Sequence, residues 1–181
     1  MDPTGLLRVL QEAVSGAALE TVPSVDPQPT VRVGREHLAD VALALRDHPE
    51  LRFALLVDVT AVDYWPRDPR FEVVYTLASL ENRLRLRLKV PLDGASAAVP
   101  TVSGIWPAAN WLEREVWDLF GIAFDGHPDP RRLLMPEDWD GHPLRKDYPV
   151  QVKKGATTSL PLQVTEEEFR ANLERDRLKR G

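Results

Sequence analysis

Apolar positions recur at helical spacing near the start of the chain. Leu6, Leu7, Leu10, Val14 and Ala18 form one stripe, which predicts an amphipathic helix over residues 4–19 with Thr4 placed to cap it. The proline-rich link TVPSVDPQP ends that helix. A short strand follows at Thr30–Val33, then a second helix over Arg35–Arg46 that turns Leu38, Val41, Ala42 and Leu45 inward. Leu51–Val62 is nearly continuous apolar sequence, the pattern of a strand covered on both faces. Phe71–Leu77 is rich in β-branched and aromatic residues and reads as another strand. Residues 83–90, Arg-Leu-Arg-Leu-Arg-Leu-Lys-Val, alternate without exception, so leucines and valine line one face and four cations the other. That basic face is either a docking surface for an acidic partner or a solvated strand face that resists edge-to-edge pairing.

After a loop over Pro91–Pro100, Pro107 can open a third helix, because its missing N–H costs nothing in the first turn. The helix runs to Phe120 with Leu112, Val116, Leu119 and Phe120 as its apolar stripe, and Gly121 is placed as its C′ residue. Downstream, prolines make most of residues 122–149 extended chain that lies on something else. Thr165 to Glu168 has capping-box spacing and begins a polar helix to about Arg177. The pattern predicts an α+β fold: a small mixed or antiparallel sheet of about four strands, two N-terminal helices packed on it, a third helix, then an extended C-terminal arm. The division is a body over 1–121 and an arm over 122–181 with a short helix, the arm being polar and mobile without partners.

At 181 residues the chain fits one domain plus such an arm. A net charge of −5 argues against a nucleic-acid partner. No apolar run reaches the ~18 residues needed to cross a bilayer, and the first residues lack a secretory n-region. These features read as a soluble, cytoplasmic protein. There is no cysteine, so an iron–sulfur cluster held by thiolates, a disulfide and a thiolate zinc site are all excluded. No glycine-rich nucleotide loop is present either.

The chemistry-bearing residues concentrate in 111–149. Glu113, Arg114, Glu115 and Asp118 sit on the third helix, where Arg114 and Asp118, four apart, are placed to pair. They form either an anchoring network or a solvated helix face. Glu113 and Glu115, two apart, point to different sides and make no catalytic dyad. Two Gly-His-Pro units follow, around His127 with Pro128 and around His142, each trailed by a basic pair, Arg131-Arg132 and Arg145-Lys146. A proline directly after each histidine, and the lack of helical His spacing, argue against a metal site. Each imidazole is instead expected to bond backbone carbonyls in a turn. The tryptophans of this region, Trp106, Trp111, Trp117 and Trp139, read as core or interface anchors rather than cofactor platforms.

This stretch resembles the signature of the 30 kDa subunit family of respiratory complex I. The family pattern is Glu-Arg-Glu, two residues, an acid, two apolar residues, six residues, His, three residues, a basic residue, then two apolar positions. Here it reads Glu113-Arg114-Glu115, Asp118, Leu119-Phe120, His127, Arg131 and Leu133-Leu134. Residues 141–149, with His142, Arg145, Lys146, Asp147 and Tyr148, look like the family's tail, whereas Pro130 stands where an aliphatic residue is common. The resemblance implies a subunit of proton-translocating NADH:quinone oxidoreductase that carries no redox cofactor, FMN and Fe–S clusters belonging to partner subunits. It implies a place beside the large quinone-site subunit and neighbouring Fe–S subunits, peripheral on the cytoplasmic face of the cell membrane. The signature residues, with Gly121 and Arg132, are then interface and structural rather than catalytic. Two alternatives stay open: the homologous subunit of a membrane-bound hydrogenase or photosynthetic-type complex, and a stand-alone cofactor-free enzyme. The last requires a solvent-facing pocket with a perturbed acid or histidine.

Overall fold

A computed structural model describes residues 3–94 and 97–149, together with positions 167 and 171. The C-terminal helix expected from Thr165 falls outside the described residues except at those two positions, which are helical. Helix α1 spans Pro3–Ala13 and α2 spans Leu38–Asp47, entered through a 3₁₀ turn at Arg35–His37. Strands β1 (Glu20–Thr21), β2 (Thr30–Arg32), β3 (Leu55–Asp63), β4 (Phe71–Ser79) and β5 (Leu84–Leu92) form one sheet in the order β1-β2-β5-β4-β3. Its β2–β5 pair is parallel and the others antiparallel, so the sheet is mixed. A second, two-stranded parallel sheet joins β6 (Ala98–Pro100) to β7 (Ala123–Asp125), and α3 (Ala109–Phe120) lies between them in the chain. The α+β architecture is as expected, with one short strand more in the main sheet.

Two helix starts and one helix end differ from the pattern. Thr4 lies inside α1 rather than before it, and α1 stops at Ala13 because Gly16 takes a left-handed φ of 96°. Val14 and Ala17 still pack on the core from the turn beyond. Pro107 and Ala108 form the turn before α3, and the helix begins at Ala109. Its C-terminus matches expectation: Gly121 has φ 72° and its N–H donates to the Trp117 carbonyl at 2.8 Å.

The larger correction concerns β3. It is not covered on both faces: Leu56, Val59, Ala61 and Asp63 are buried, but Leu55, Val57 and Val62 are exposed. It is the terminal strand of the sheet and packs against α3. The upstream part of the apolar run is not strand at all. Leu51 and Phe53 are fully buried from a turn after α2, where the Phe53 N–H donates to the Leu45 carbonyl. The strand buried almost throughout is β4, the neighbour of both β3 and β5.

On β5 the alternation holds, with Leu86, Leu88, Val90 and Leu92 buried. Arg83 lies before the strand, at φ 52°. Of the basic row, Arg87 pairs with Asp26 at 2.8 Å and Lys89 with Glu72 at 2.7 Å, so part of that face is neutralised internally. Strand β7 sits just beyond Gly121, where body and arm were divided, and the adjoining Ile122 and Phe124 are buried in the body's core. Residues 122–149 are hydrogen-bonded back onto the body.

Candidate functional site

Three of the four charges of the α3 signature point inward. Asp118 and Glu113 are fully buried and Arg114 nearly so, deeper than the apolar Leu112 and Leu119 of the same helix. Charges buried this way require partners, and here most of the partners come from the segment that follows. Asp118 Oδ2 accepts the backbone N–H groups of Leu133, Leu134 and Met135 at 3.1, 2.8 and 2.8 Å. Its Oδ1 accepts from Arg132 at 2.7 Å, and Arg132 donates in turn to the carbonyls of Trp139 and Gly141. Burial alone pushes the Asp118 carboxyl up, but the donated N–H groups and Arg132 outweigh it and hold its pKa below the usual range.

Arg114 does not pair with Asp118, although helical spacing makes them neighbours. Its guanidinium donates to the carbonyls of Arg131 and Arg132 at 2.9 and 3.0 Å, meets Asp129 at 3.3 Å, and covers the exposed ring of Trp111. Both ends of the spaced pair thus reach out to the arm. A surface pair is worth little, ~0.3–0.5 kcal/mol, whereas an unpaired buried charge costs several kcal/mol, so the arm's donors and acceptors win. Glu115 is half-exposed.

Glu113 faces the other way, into the body. It accepts the Val102 N–H at 2.7 Å and the Thr101 hydroxyl, and burial, only partly offset by these bonds, raises its pKa to about 7. His127 lies 3.7 Å from it. The Asp129 N–H donates to His127 Nδ1, which puts the ring proton on Nε2, and that N–H donates to the Asn110 carbonyl at 3.0 Å. His142 Nδ1 donates to the Asp118 carbonyl at 2.9 Å, with its ring edge-on to Trp117. Both histidines bond backbone carbonyls, as their turn setting implied.

A second anchor closes the arm at its far end. Arg70 donates to both oxygens of Asp63, at 3.0 and 2.9 Å, and binds Asp147 at 2.8 Å. Asp63, whose side chain is fully buried, also accepts the Lys146 backbone N–H at 2.9 Å. Arg145 bonds Asp147 and lies over the Phe71 ring, beside Arg70. Burial raises the Asp63 carboxyl, yet Arg70 and the N–H groups of Lys146 and Trp65 bring it below the ordinary value. Tyr148 donates to the Asp140 carbonyl. Pro128 and Lys146 are exposed, as is the Arg131 side chain, which pairs with Asp129.

Asp63, Arg70, Thr101 and Asp129 escaped the sequence reading. Asp63 closes an apolar run and Arg70 precedes a strand, positions at which charges are ordinary, so nothing local marks them. The arrangement does contain a perturbed acid near a histidine, which had not been expected. The cavity there, walled by Glu113, Trp117, Phe124 and His127, is about 100 Å³, below the ~300 Å³ at which small-molecule sites begin. Among the described residues no group of three or more His, Asp or Glu is placed to hold a metal, and no helix is long and apolar enough to cross a membrane.

Fold and site define a small α+β protein whose buried charges hold its own downstream backbone. Residues 31–154 match the family model described as respiratory-chain NADH dehydrogenase, 30 Kd subunit, and the chain belongs to that family. It is 54% identical over 129 residues to the NADH-quinone oxidoreductase C-subunit of Roseiflexus sp. (strain RS-1), covering 71% of this chain and 74% of that one. The counterpart from Geotalea uraniireducens (strain Rf4) is 49% identical over 142 residues, covering 78% and 85%. Among solved structures, the trypsin-resistant fragment (1-134) of Nqo5 is 36% identical with a TM-score of 0.56, covering 68% of this chain and 98% of that one. The membrane-bound sulfane sulfur reductase, an archaeal respiratory membrane complex, contains a chain 28% identical with a TM-score of 0.67, covering 81% and 85%.

Proposed function

We propose that the chain is a non-catalytic structural subunit of the peripheral arm of proton-translocating NADH:quinone oxidoreductase. It carries no redox group; FMN and Fe–S clusters reside in partner subunits. Its neighbours are the large quinone-site subunit and adjacent Fe–S subunits, and it meets the cytoplasmic face of the cell membrane only through the complex. The observation that supports this is how Asp118 and Arg114 are used. They tie down the backbone of residues 131–135, so that Leu134, Leu144 and Trp139 of the arm stand exposed on an ordered surface. Exposed apolar side chains on a held backbone suit a permanent subunit interface, where little ordering entropy is lost on assembly. The absence of cysteine supports a role without an Fe–S cluster.

The test is affinity capture of the tagged chain from gently solubilised membranes. Recovery of flavin and Fe–S subunits with NADH:quinone activity is the expected result. A nickel-site large subunit in their place assigns the chain to a hydrogenase-type complex. Capture of neither overturns both. Stoichiometric iron or a visible absorption band in the purified chain overturns the claim that it carries no redox group.

A further inference from the structure

The sheet has two faces, and among the described residues the outer one is left open at Leu55, Val57 and Val62. On the outer face, at the end formed by β3, β4 and β5, lies a groove of about 540 Å³. Its lining includes Leu55 (44% exposed), Val57 (52%) and Leu80 (75%), all large apolar side chains left open to solvent. Ala78 of β4, paired with Leu55 in the sheet, also lines it and is too small to fill the space.

The rim is cationic. Arg83 and Arg85 line the groove, and neither makes an ion pair among the described residues. Their neighbour Arg87 is different, because Asp26 neutralises it at 2.8 Å. The wall also holds Gln28, whose Nε2 is buried without a hydrogen-bond partner and so lacks an acceptor. An apolar floor, two unneutralised cations and an unmatched donor share one place.

We infer that this groove docks a segment of a neighbouring subunit that carries apolar side chains flanked by Asp or Glu. The inference rests on the chain being a subunit of a larger complex. Charge complementarity selects the acidic occupant, since an unpaired guanidinium at an interface rim suppresses like-charged partners and steers oppositely charged ones. A second copy would bring Arg83 and Arg85 with it; on a two-fold axis these cations face each other.

The experiment places a photo-cross-linker in the groove of the full chain, as Val57→p-benzoylphenylalanine, and irradiates the complex captured through the tag. The dark sample is first assayed for co-purifying flavin and Fe–S subunits and for NADH:quinone activity. If these are missing, the functional reading fails and not the groove. With the complex in hand, the expected product is one cross-link to an acidic, apolar segment of another subunit. The double variant R83E/R85E, with an unchanged unfolding midpoint, should lower that cross-link yield roughly tenfold. A cross-link to residues 150–181, to a second copy or to lipid overturns the inference, as does no cross-link at all. An unaltered yield in R83E/R85E overturns the choice of an acidic partner.

Discussion

Arg132 donates to Asp118 Oδ1 at 2.7 Å, and the two residues divide the work of fixing the same loop. Asp118 captures N–H groups on the near side, those of Leu133, Leu134 and Met135, while Arg132 captures the carbonyls of Trp139 and Gly141 on the far side. An acid on a helix and a base on the loop thereby satisfy a stretch of backbone that has no ladder of its own, as buried backbone requires.

Removing the acid should therefore loosen the loop and not the body. Asp118→Ala leaves the Arg132 charge without its carboxylate and three backbone N–H groups unmatched, and breaking a buried pair costs about 3–5 kcal/mol. Hydrogen exchange on the full chain should show protection lost over residues 131–144 and kept in β4 and β5. The folded-state pKa of Asp118 is depressed, so its contribution is present above the ordinary carboxylate pKa and is lost as pH falls through the folded value. Uniform loss of protection through the sheet would mean that the arm and body unfold as one unit.

Glu113 has the opposite sign. Burial raises its folded pKa to about 7 from 4.5, so between those values the folded state holds a proton that the unfolded chain has released. Stability should fall as pH rises from about 4.5 to 7, by roughly 3 kcal/mol for this group, and then level off. Glu113→Gln resembles the neutral acid and can still accept the Val102 N–H. Denaturant titrations at several pH values should show that decline in the native chain and its absence in the variant. Parallel curves would place the ionised carboxylate in the fold.

The element types were legible because the local pattern carries them: β5 alternates, and Gly121 closes α3 where an αL residue is needed. The signature residues were legible too, but their partners were not. Helical spacing made Arg114 and Asp118 neighbours, whereas the fold gives each a different part of the arm's backbone. Periodicity describes one element against an unspecified core, so it cannot say which charge meets which backbone group far along the chain. The error on β3 has the same origin. An apolar residue such as Val57 reads as buried whether it meets a helix or an open sheet face.

Arg70 should prove a stronger determinant than the more conspicuous Arg145. Its loss strands Asp63, which is fully buried, and releases Asp147. Arg70→Ala is expected to cost about 3–5 kcal/mol by the same buried-pair argument. Arg145→Ala removes a half-buried pair with Asp147 and a contact over Phe71, about 1 kcal/mol in sum. Its effect should appear in assembly: less complex in membranes, with the isolated chain folded. Equal unfolding midpoints for the two variants would contradict this ranking, and normal assembly of Arg145→Ala would remove Arg145 from the positioning of the arm.

Gly121 and His142 make a coupled pair. A Cβ built on Gly121 comes within 2.5 Å of His142 Cδ2, and Gly121 itself sits at φ 72°. Gly121→Ala therefore meets two penalties: left-handed strain of about 1 kcal/mol, and displacement of the imidazole from the Asp118 carbonyl, worth another ~1 kcal/mol as a lost hydrogen bond. His142→Ala loses the same bond and opens the space. The double variant should thus be less destabilised than the sum of the singles, by about 1 kcal/mol, because the lost bond is counted twice in that sum. Denaturant unfolding of the four chains of this cycle measures the coupling. Strict additivity would show that His142 moves aside without cost, and that its bond to the Asp118 carbonyl does not hold the arm.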